Sequence, residues 1–245
     1  MGQKMKLLSG NVVIYEGGLP FNAYITLDRY EGDTYTYFTF RDDYEILIDR
    51  PTNEIDSVTF ETFLVPNHPD GVLISGVVWA TCNVDNPGTF AAKPTDAGKF
   101  YQWGRMTARS CTDPLISNDG SVWTGESFKG DTWYPHPCPT GWRLPTEHEL
   151  DLLINSGNYS AKVSGVLGHI FGDNVNRIFL PVAGTRAYFD GTHFNKDRKG
   201  YYWSSTPAGN RAYTMQIYFG TKSYIEPFIR SEGASVRCVK EVITE

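Results

Sequence analysis

The segment at residues 138–150, CPTGWRLPTEHEL, constrains the fold most because it specifies where a helix must begin. Thr146 followed three residues later by Glu149 is the pattern of a capping box, in which the two residues satisfy backbone amides at the first helical turn. Apolar side chains then recur at helical spacing, at Leu150, Leu153 and Ile154. The sequence therefore predicts one short helix that lies with its apolar face on a core and ends at the turn-forming residues 155–158.

Most other segments favour strands. Residues 1–70 show alternating and β-branched runs between turn residues, and no helical period of useful length. About five strands are predicted there, at residues 11–15, 23–27, 34–40, 44–48 and 57–65. We expect a small all-β, sandwich-like module that acts as a stalk or assembly unit. The proline- and glycine-bearing segment 66–71 marks the boundary with a second domain at residues 71–245.

The second domain opens with an apolar strand at residues 72–80. After the helix, further strands are predicted at residues 176–182, 201–205, 212–219 and 234–239. Between residues 105 and 137 the chain is polar and punctuated by glycine and proline. A loop of that length is uncommon unless it has a function or is packed by its own side chains.

Charge and hydropathy limit the classes of partner. The net charge is −6, only 20% of residues are charged, and no basic block occurs, so nucleic acid is not expected as a partner. No stretch approaches the roughly 20 apolar residues of a membrane helix, so no membrane span is expected. Residues 1–5 lack the apolar region of a signal peptide. Either a signal was removed or none was used, and a lipid anchor upstream stays open.

The last quarter of the chain carries the best candidates for ligand contact. On a strand from Ala212, Met215, Ile217 and Phe219 would share a core face, and Thr214, Gln216 and Tyr218 the other. The segment that follows is rich in large, chemically mixed side chains, unlike a simple connection. We expect a binding surface that contains Arg211, Tyr213, Gln216, Tyr218, Thr221, Tyr224, Glu226, Phe228 and Arg230. A second loop is expected to add Arg186, Tyr188 and His193. Ordinary strand and turn packing is the alternative.

Six phrases, in this order, resemble the Fibrobacter succinogenes major paralogous domain family, a group similar to C-type lectin-like domains. They are VWATCNV at 78–84, FYQWG at 100–104, CPTGWRLPT at 138–146, IFLPVAG at 178–184, GYYWSST at 200–206 and GASVRCV at 233–239. The resemblance covers about residues 72–241 and does not extend to residues 1–70. It implies an α+β, C-type lectin-like domain at about residues 72–245, with an irregular ligand face, after the β-rich module.

The resemblance also implies a biological setting. Members look like surface-exposed adhesins, often lipid-anchored or carried on pili, and similar domains are variable targets of diversity-generating retroelements. In those targets, substitutions accumulate between a Trp-Ser-Ser phrase and a terminal Ser-Val-Arg phrase, which here frame residues 206–234. Four cysteines allow three pairings. The matching phrases make a Cys138–Cys238 disulfide the expected one, with Cys82 and Cys111 as the remaining pair, and the fully reduced state stays open.

Metal and catalytic sites have weak sequence support. A calcium-dependent lectin would show Glu-Pro-Asn or Gln-Pro-Asp, whereas this chain has Phe228 after Glu226 and Pro227. The spacing of His136, Cys138 and other candidate ligands matches no usual zinc pattern. No catalytic motif of the common hydrolases or phosphate-binding loops appears. We therefore expect a non-enzyme without metal or cofactor.

The sequence as a whole predicts an extracellular or cell-surface recognition protein, on a bacterial outer surface, as a lipoprotein or on a pilus. Its Tyr-rich face would bind a protein or glycan on another cell surface, and its N-terminal module would support an oligomer. Two alternatives come from other classes. A phage tail-tip receptor-binding protein would place the chain on a virion. A relative of the formylglycine-generating enzymes, an oxidase, would need a reactive thiol at Cys238.

Overall fold

The computed structural model describes residues 68–173 and 176–241 and, between residues 2 and 63, the backbone of six strands. The chain divides into two compact units, Met1–Leu64 and Val65–Glu245. The division falls close to the predicted boundary at residue 70, and the predicted linker at residues 66–71 lies partly outside the described residues.

Among the residues described there, the first unit forms two antiparallel sheets of three strands each. Its strands are β1 (Gly2–Ser9), β2 (Val12–Gly18), β3 (Thr26–Asp28), β4 (Thr36–Phe40), β5 (Tyr44–Ile48) and β6 (Ser57–Phe63). One sheet has the order β2-β1-β6 and the other β3-β4-β5. Strands β2 to β6 overlap the five predicted segments at residues 11–15, 23–27, 34–40, 44–48 and 57–65. The sequence prediction missed β1, the central strand of its sheet, because the alternation of Lys4, Met5, Lys6 and Leu7 is short and lies at the chain start.

The second unit contains one helix and fourteen strands within its described residues. Before the helix lie β7 (Val72–Ile74), β8 (Val77–Trp79), β9 (Phe100–Gln102) and β10 (Trp142–Arg143), and the helix is α1 (Glu147–Asn155). After it come β11 (Asn158–Val163), β12 (Val166–Gly172), β13 (Arg177–Pro181), β14 (Thr185–Arg186), β15 (His193–Phe194), β16 (Lys199–Ala208), β17 (Arg211–Tyr218), β18 (Tyr224–Ile229), β19 (Gly233–Ser235) and β20 (Val239–Lys240).

These strands form three sheets. The largest has the order β15-β14-β19-β16-β17-β18, with β9 also paired to β19. The others have the orders β10-β20-β8-β7 and β11-β12-β13. All pairings are antiparallel except that of β16 with β19. Edge strand β18 carries Pro227, which lacks the N–H that would template a further strand.

The predicted α+β, C-type lectin-like class is wrong for the described residues. They contain a single helix of nine residues among many short antiparallel strands, so the architecture is nearly all β. The physical reason lies in the sequence, because a helical period occurs only at the segment that forms α1, whereas glycine turns and alternating runs separate the other elements. The fold class that the resemblance implied is not supported by this distribution of helical and strand periods along the sequence.

The helix itself forms as predicted. The Thr146 side chain accepts a hydrogen bond from the Glu149 N–H at 3.2 Å, and the Glu149 carboxylate accepts one from the Thr146 N–H at 2.8 Å. Arg143 adds two hydrogen bonds to the same carboxylate, at 2.8 and 2.6 Å. Leu150 and Leu153 are buried, so the capped helix is fixed to the core by its apolar face.

Two core clusters lie on the two faces of the largest sheet. On one face Tyr202, Met215 and Ile217 pack with Leu150 and Leu153 of α1. On the other face a second cluster joins the sheet to the long segment before α1, through residues that are mainly aromatic or small: Trp103, Trp133, Trp142, Tyr201, Trp203, Ala212 and the partly buried Phe128 and Phe228. The sheet therefore has an apolar layer on both faces over much of its area.

The predicted disulfide between Cys138 and Cys238 is present, with a Cα–Cα distance of 6.1 Å. It joins the segment before β10 to the segment before β20, and Arg143 of β10 pairs with Val239 of β20. The expected Cys82–Cys111 pair is wrong, because both residues retain thiol side chains. Burial raises the pKa of both thiols, which favours the unreactive protonated form.

We predict that changing both Cys138 and Cys238 to serine lowers the free energy of unfolding by about 2–5 kcal/mol, because the bond closes a long loop in the unfolded chain. The two cysteines are 100 residues apart. Urea unfolding of the oxidised protein measures the difference. Cys111→Ser is the control and should cost less than about 1 kcal/mol. A double variant as stable as this control would contradict the prediction.

Candidate functional site

A cluster of aromatic and charged side chains lies on one face of the hairpin β17–β18. We call it the tyrosine face; it contains Lys199, Gln216, Tyr218, Tyr224 and Glu226. Lys199 is directly opposite Tyr218, and Tyr224 is directly opposite Gln216. Residues directly opposite each other in antiparallel strands share a face, so three neighbouring strands contribute to one surface.

Short polar contacts connect the members of this face. The Lys199 ammonium donates a hydrogen bond to the Tyr218 hydroxyl at 2.7 Å. The rings of Tyr218 and Tyr224 have centroids 5.2 Å apart, and the Tyr224 hydroxyl lies 3.4 Å from the Gln216 amide oxygen. Glu226 is exposed beside them. The face thus presents two half-buried aromatic rings flanked by one cation and one carboxylate, whereas Gln216 is only 6% exposed.

The two tyrosine hydroxyls differ electrostatically. Partial burial raises the pKa of Tyr218, but hydrogen bonds with Lys199 and Tyr224 and the Lys199 charge outweigh burial and hold its pKa below the ordinary value. Burial and the hydrogen bond with Tyr218 raise the pKa of Tyr224. Tyr218 is therefore the acceptor and Tyr224 the donor in the contact between the two hydroxyls.

Several predicted members lie elsewhere. Tyr213 alternates with Met215 along β17, so it is on the α1 side of the sheet, and exposed Arg211 lies on that side as well. Phe228 is on the same side of the sheet as the tyrosine face, but it is half-buried beyond the cluster and stacks on Tyr201, with ring centroids 4.8 Å apart. Thr221 is exposed in the turn after β17, where its N–H donates to the Tyr218 carbonyl. The structure brings together Gln216, Tyr218, Tyr224 and Glu226, and not the whole predicted set.

The two arginines predicted to bind ligand are buried instead. Arg186 is 0% exposed and Arg230 is 2% exposed. Arg186 donates to the backbone carbonyls of Ser110, Thr112 and Gly191. It therefore fixes the long loop, residues 104–141, to the turn at residues 187–192. The placement of these guanidinium groups on a ligand surface was wrong, because unpaired loop carbonyls inside the fold compete for their donors.

Arg230 has the same role beneath the hairpin turn. It donates to the carbonyls of Phe128 and Gly130 at 3.1 and 2.6 Å, and to those of Gly209 and Arg211 at 2.8 and 2.9 Å. Its guanidinium carbon lies 4.3 Å from the centre of a Trp103 ring. Arg230 therefore joins the long loop to the turn between β16 and β17.

Of the remaining predicted residues, Tyr188 lies in the turn after β14 and His193 is the first residue of β15, opposite Arg186. Tyr188 is 43% exposed, and its carbonyl accepts a hydrogen bond from the Trp123 indole at 3.0 Å. His193 is half-buried; its ring lies 5.6 Å from that of Phe100, and its Nε2 lies 2.9 Å from the Ala183 carbonyl. These contacts attach both residues to the long loop and the sheet edge rather than to the tyrosine face.

Sequence reasoning missed Lys199, which holds Tyr218. The feature that could have identified it is the hairpin β16–β17, because the pairing of these strands places Lys199 opposite Tyr218. An irregularity between Trp203 and Pro207 shifts the register, so counting back from the Gly209 turn misplaces the partner. The contact between Lys199 and Tyr218 was missed because it depends on strand register and not on residue type.

Two buried titratable groups lie close to the same strands. Burial raises the pKa of the Glu232 carboxyl to about 7, partly offset by a hydrogen bond from the Tyr188 N–H. Burial lowers the pKa of His169 to about 4, partly offset by the Tyr218 carbonyl. His169 lies 3.1 Å from that carbonyl and 2.9 Å from the Ser160 hydroxyl, so it links β12 to the end of the tyrosine face.

A cavity of about 660 Å³ lies at the opposite end of β17. We call it the loop cavity; it is bounded by residues 126–129 of the long loop, by Gly209 and Asn210 of the hairpin turn, and by Arg230. Within residues 68–173 and 176–241, no group of three His, Cys, Asp or Glu side chains is placed to hold a metal ion. Cys238, the thiol that an oxidase would need, is bonded to Cys138.

Sequence comparison gives one match. The family described as the Lcl C-terminal domain matches residues 73–240, which is most of the second unit. No curated protein and no solved structure matches the chain. In the part of the chain that the structure describes, no helix has the length and apolar character needed to cross a membrane.

We predict that His169 contributes a loss of stability as the pH is lowered from about 6.5 to 4. The unfolded histidine gains a proton near pH 6.5, whereas the folded one gains it only at about 4. The unfolded state therefore binds more protons across this window, which costs the folded state about 3 kcal/mol at its lower end.

Urea unfolding of the wild type and His169→Gln across this pH range isolates the histidine from Glu232, whose raised pKa acts in the opposite direction. The wild type should lose about 3 kcal/mol more than the variant. Parallel pH profiles would contradict the assignment.

We also predict that Arg230→Lys lowers the free energy of unfolding by about 2–4 kcal/mol, because one ammonium group cannot serve four separated carbonyls. Thermal unfolding measures the loss. The control is Arg211→Lys at an exposed position on the same turn, where the change should stay within about 0.5 kcal/mol. Equal effects of both substitutions would exclude the bridging role.

Proposed function

We propose that this chain, which belongs to the Lcl C-terminal domain family, is a surface-associated recognition protein that binds a protein or glycan on another surface through the tyrosine face. The observation that carries the proposal is the arrangement of Lys199, Tyr218 and Tyr224 on adjacent strands, with hydrogen-bonding groups on both sides of the rings. Tyrosine in such a setting offers wide contact area and a polar tip at low conformational cost.

The scaffold beneath this face favours recognition without induced rearrangement. Along β17, Thr214, Met215 and Ile217 are fully buried, so the strand between the exposed side chains is anchored in the core. The ammonium of Lys199 already holds Tyr218 in one position. A preorganised surface loses little conformational entropy on binding, and its affinity depends on a few aromatic anchors.

Surface exposure and an extracellular setting are part of the same proposal. Family membership and the buried Cys138–Cys238 disulfide support it, because such bonds persist in oxidising environments. No catalytic step is included: ligand contact by aromatic anchors with polar neighbours suffices for adhesion. The N-terminal unit would serve as the stalk or assembly module that carries the binding unit.

Retroelement diversification of residues 211–231 is a finer part of the proposal. In the structure, only some side chains in this interval are exposed, among them Arg211, Thr221 and Glu226, whereas Ala212 and Arg230 are buried. Diversification would therefore be tolerated mainly at the exposed positions. Sequencing of the locus tests it: a nearby template repeat with adenines at those codons supports the proposal, and its absence rejects it.

We predict that Tyr218→Ala combined with Tyr224→Ala weakens ligand binding about tenfold or more, because two central aromatic anchors are removed. The purified full chain is applied to arrays of bacterial-surface glycans and proteins, and each hit is quantified by titration. The matched control is Tyr213→Ala, a half-exposed tyrosine on the same strand but on the opposite face of the sheet.

A hit that the control keeps and the double variant loses supports the tyrosine face, provided that both proteins retain the wild-type unfolding midpoint. A hit that survives the double variant, or that Tyr213→Ala abolishes equally, would place the contact elsewhere on the chain.

A further inference from the structure

The loop cavity is built as a ligand site separate from the tyrosine face. Its volume of about 660 Å³ falls within the range of small-molecule pockets. One wall is the long loop at residues 126–129, and the other is the turn at Gly209 and Asn210 between β16 and β17. The cavity therefore lies between two segments that belong to no helix or strand, so no regular backbone pairing joins its two walls.

Arg230 holds both walls in place. Two of its hydrogen bonds go to the loop side, at Phe128 and Gly130, and two go to the turn side, at Gly209 and Arg211. The Nη2 atom of Arg230 also lies 3.8 Å from the Oδ1 atom of Asp131. The guanidinium group thus gives the cavity a fixed width, and four of its five N–H donors are bonded to backbone carbonyls.

This occupation limits the chemistry of the ligand. Phosphate and sulfate are usually bound by a guanidinium fork that offers two parallel donors. In the loop cavity the fork is bonded to backbone carbonyls, and the other charged lining residues, Glu126 and Lys129, have opposite signs. The lining therefore offers an anionic ligand no dedicated pair of donors.

The rest of the lining is suited to a neutral, hydroxyl-rich ligand. Phe128 is half-buried in the wall, and its ring is backed by Trp103 with centroids 6.0 Å apart. Ser127, Asn210, Glu126 and Lys129 supply both donors and acceptors in the same lining. An apolar ring together with mixed hydrogen-bonding groups matches a sugar, which has an apolar C–H face and hydroxyls at its edge.

We propose that the loop cavity binds a short neutral oligosaccharide, with a sugar ring packed on Phe128 and its hydroxyls hydrogen-bonded to Asn210, Glu126 and Lys129. Arg230 is a positioning residue that sets the width of the site. This binding is independent of the tyrosine face, because the two sites lie at opposite ends of β17.

Saturation-transfer NMR and calorimetry of the full chain test the proposal with three probes: cellotriose, maltotriose and triacetylchitotriose. The decisive variant is Asn210→Trp, which fills the cavity from an exposed turn position. The matched control is Asn155→Trp, at an exposed position of α1 on the other side of the sheet. Thermal unfolding checks that both variants are folded.

We expect at least one probe to bind the wild type, Asn155→Trp and the Tyr218→Ala, Tyr224→Ala double variant equally, and Asn210→Trp about tenfold or more weakly. Absence of binding for all three probes at about 10 mM overturns the proposal, as does binding that survives Asn210→Trp. Tighter binding of a sulfated maltotriose than of maltotriose also overturns it, because the ligand would then be an anion.

Discussion

Buried guanidinium groups hold the irregular part of this fold together. Arg186, Arg230 and Arg237 are almost entirely removed from solvent, and each donates several hydrogen bonds to backbone carbonyls. Arg109 does the same for the carbonyls of Ser121 and Val122. A buried carbonyl without a partner is costly, and long loops carry many of them. One planar group with five donors can satisfy carbonyls of several loop segments at once. In this way residues 104–141, a segment of more than thirty residues without a named strand or helix, pack against the sheet.

The largest sheet depends on this arrangement. Its α1 face is covered by Leu150 and Leu153, while its other face is covered by aromatic side chains of the long loop. At the end of β17 beside Lys199, the strand whose middle residues are buried presents the half-buried Tyr218. The arginines thus decide which part of the sheet faces solvent. The loop cavity and the tyrosine face are the two places where this cover ends.

Local patterns in the sequence predicted several features correctly. The capping box placed the start of α1, the spacing of Leu150 and Leu153 gave its buried face, and period-two alternation separated Met215 and Ile217 from Gln216 and Tyr218. The fold class failed because it was taken from a resemblance rather than from the number of helical segments. The placement of Arg186 and Arg230 failed because an arginine in a loop sequence looks the same whether its donors face solvent or buried carbonyls.

The sequence by itself determined the helix α1 and the two faces of β17, because each depends on the spacing of nearby residues. Only the tertiary structure decided that Lys199 lies against Tyr218, which cysteines are bonded, and that four arginines are internal. Those outcomes depend on strand register, on an irregularity in β16, and on contacts between segments about 100 residues apart, such as Arg230 with Gly130. Such distant partners cannot be identified from the local sequence, since every residue has a carbonyl with the same need for a hydrogen bond.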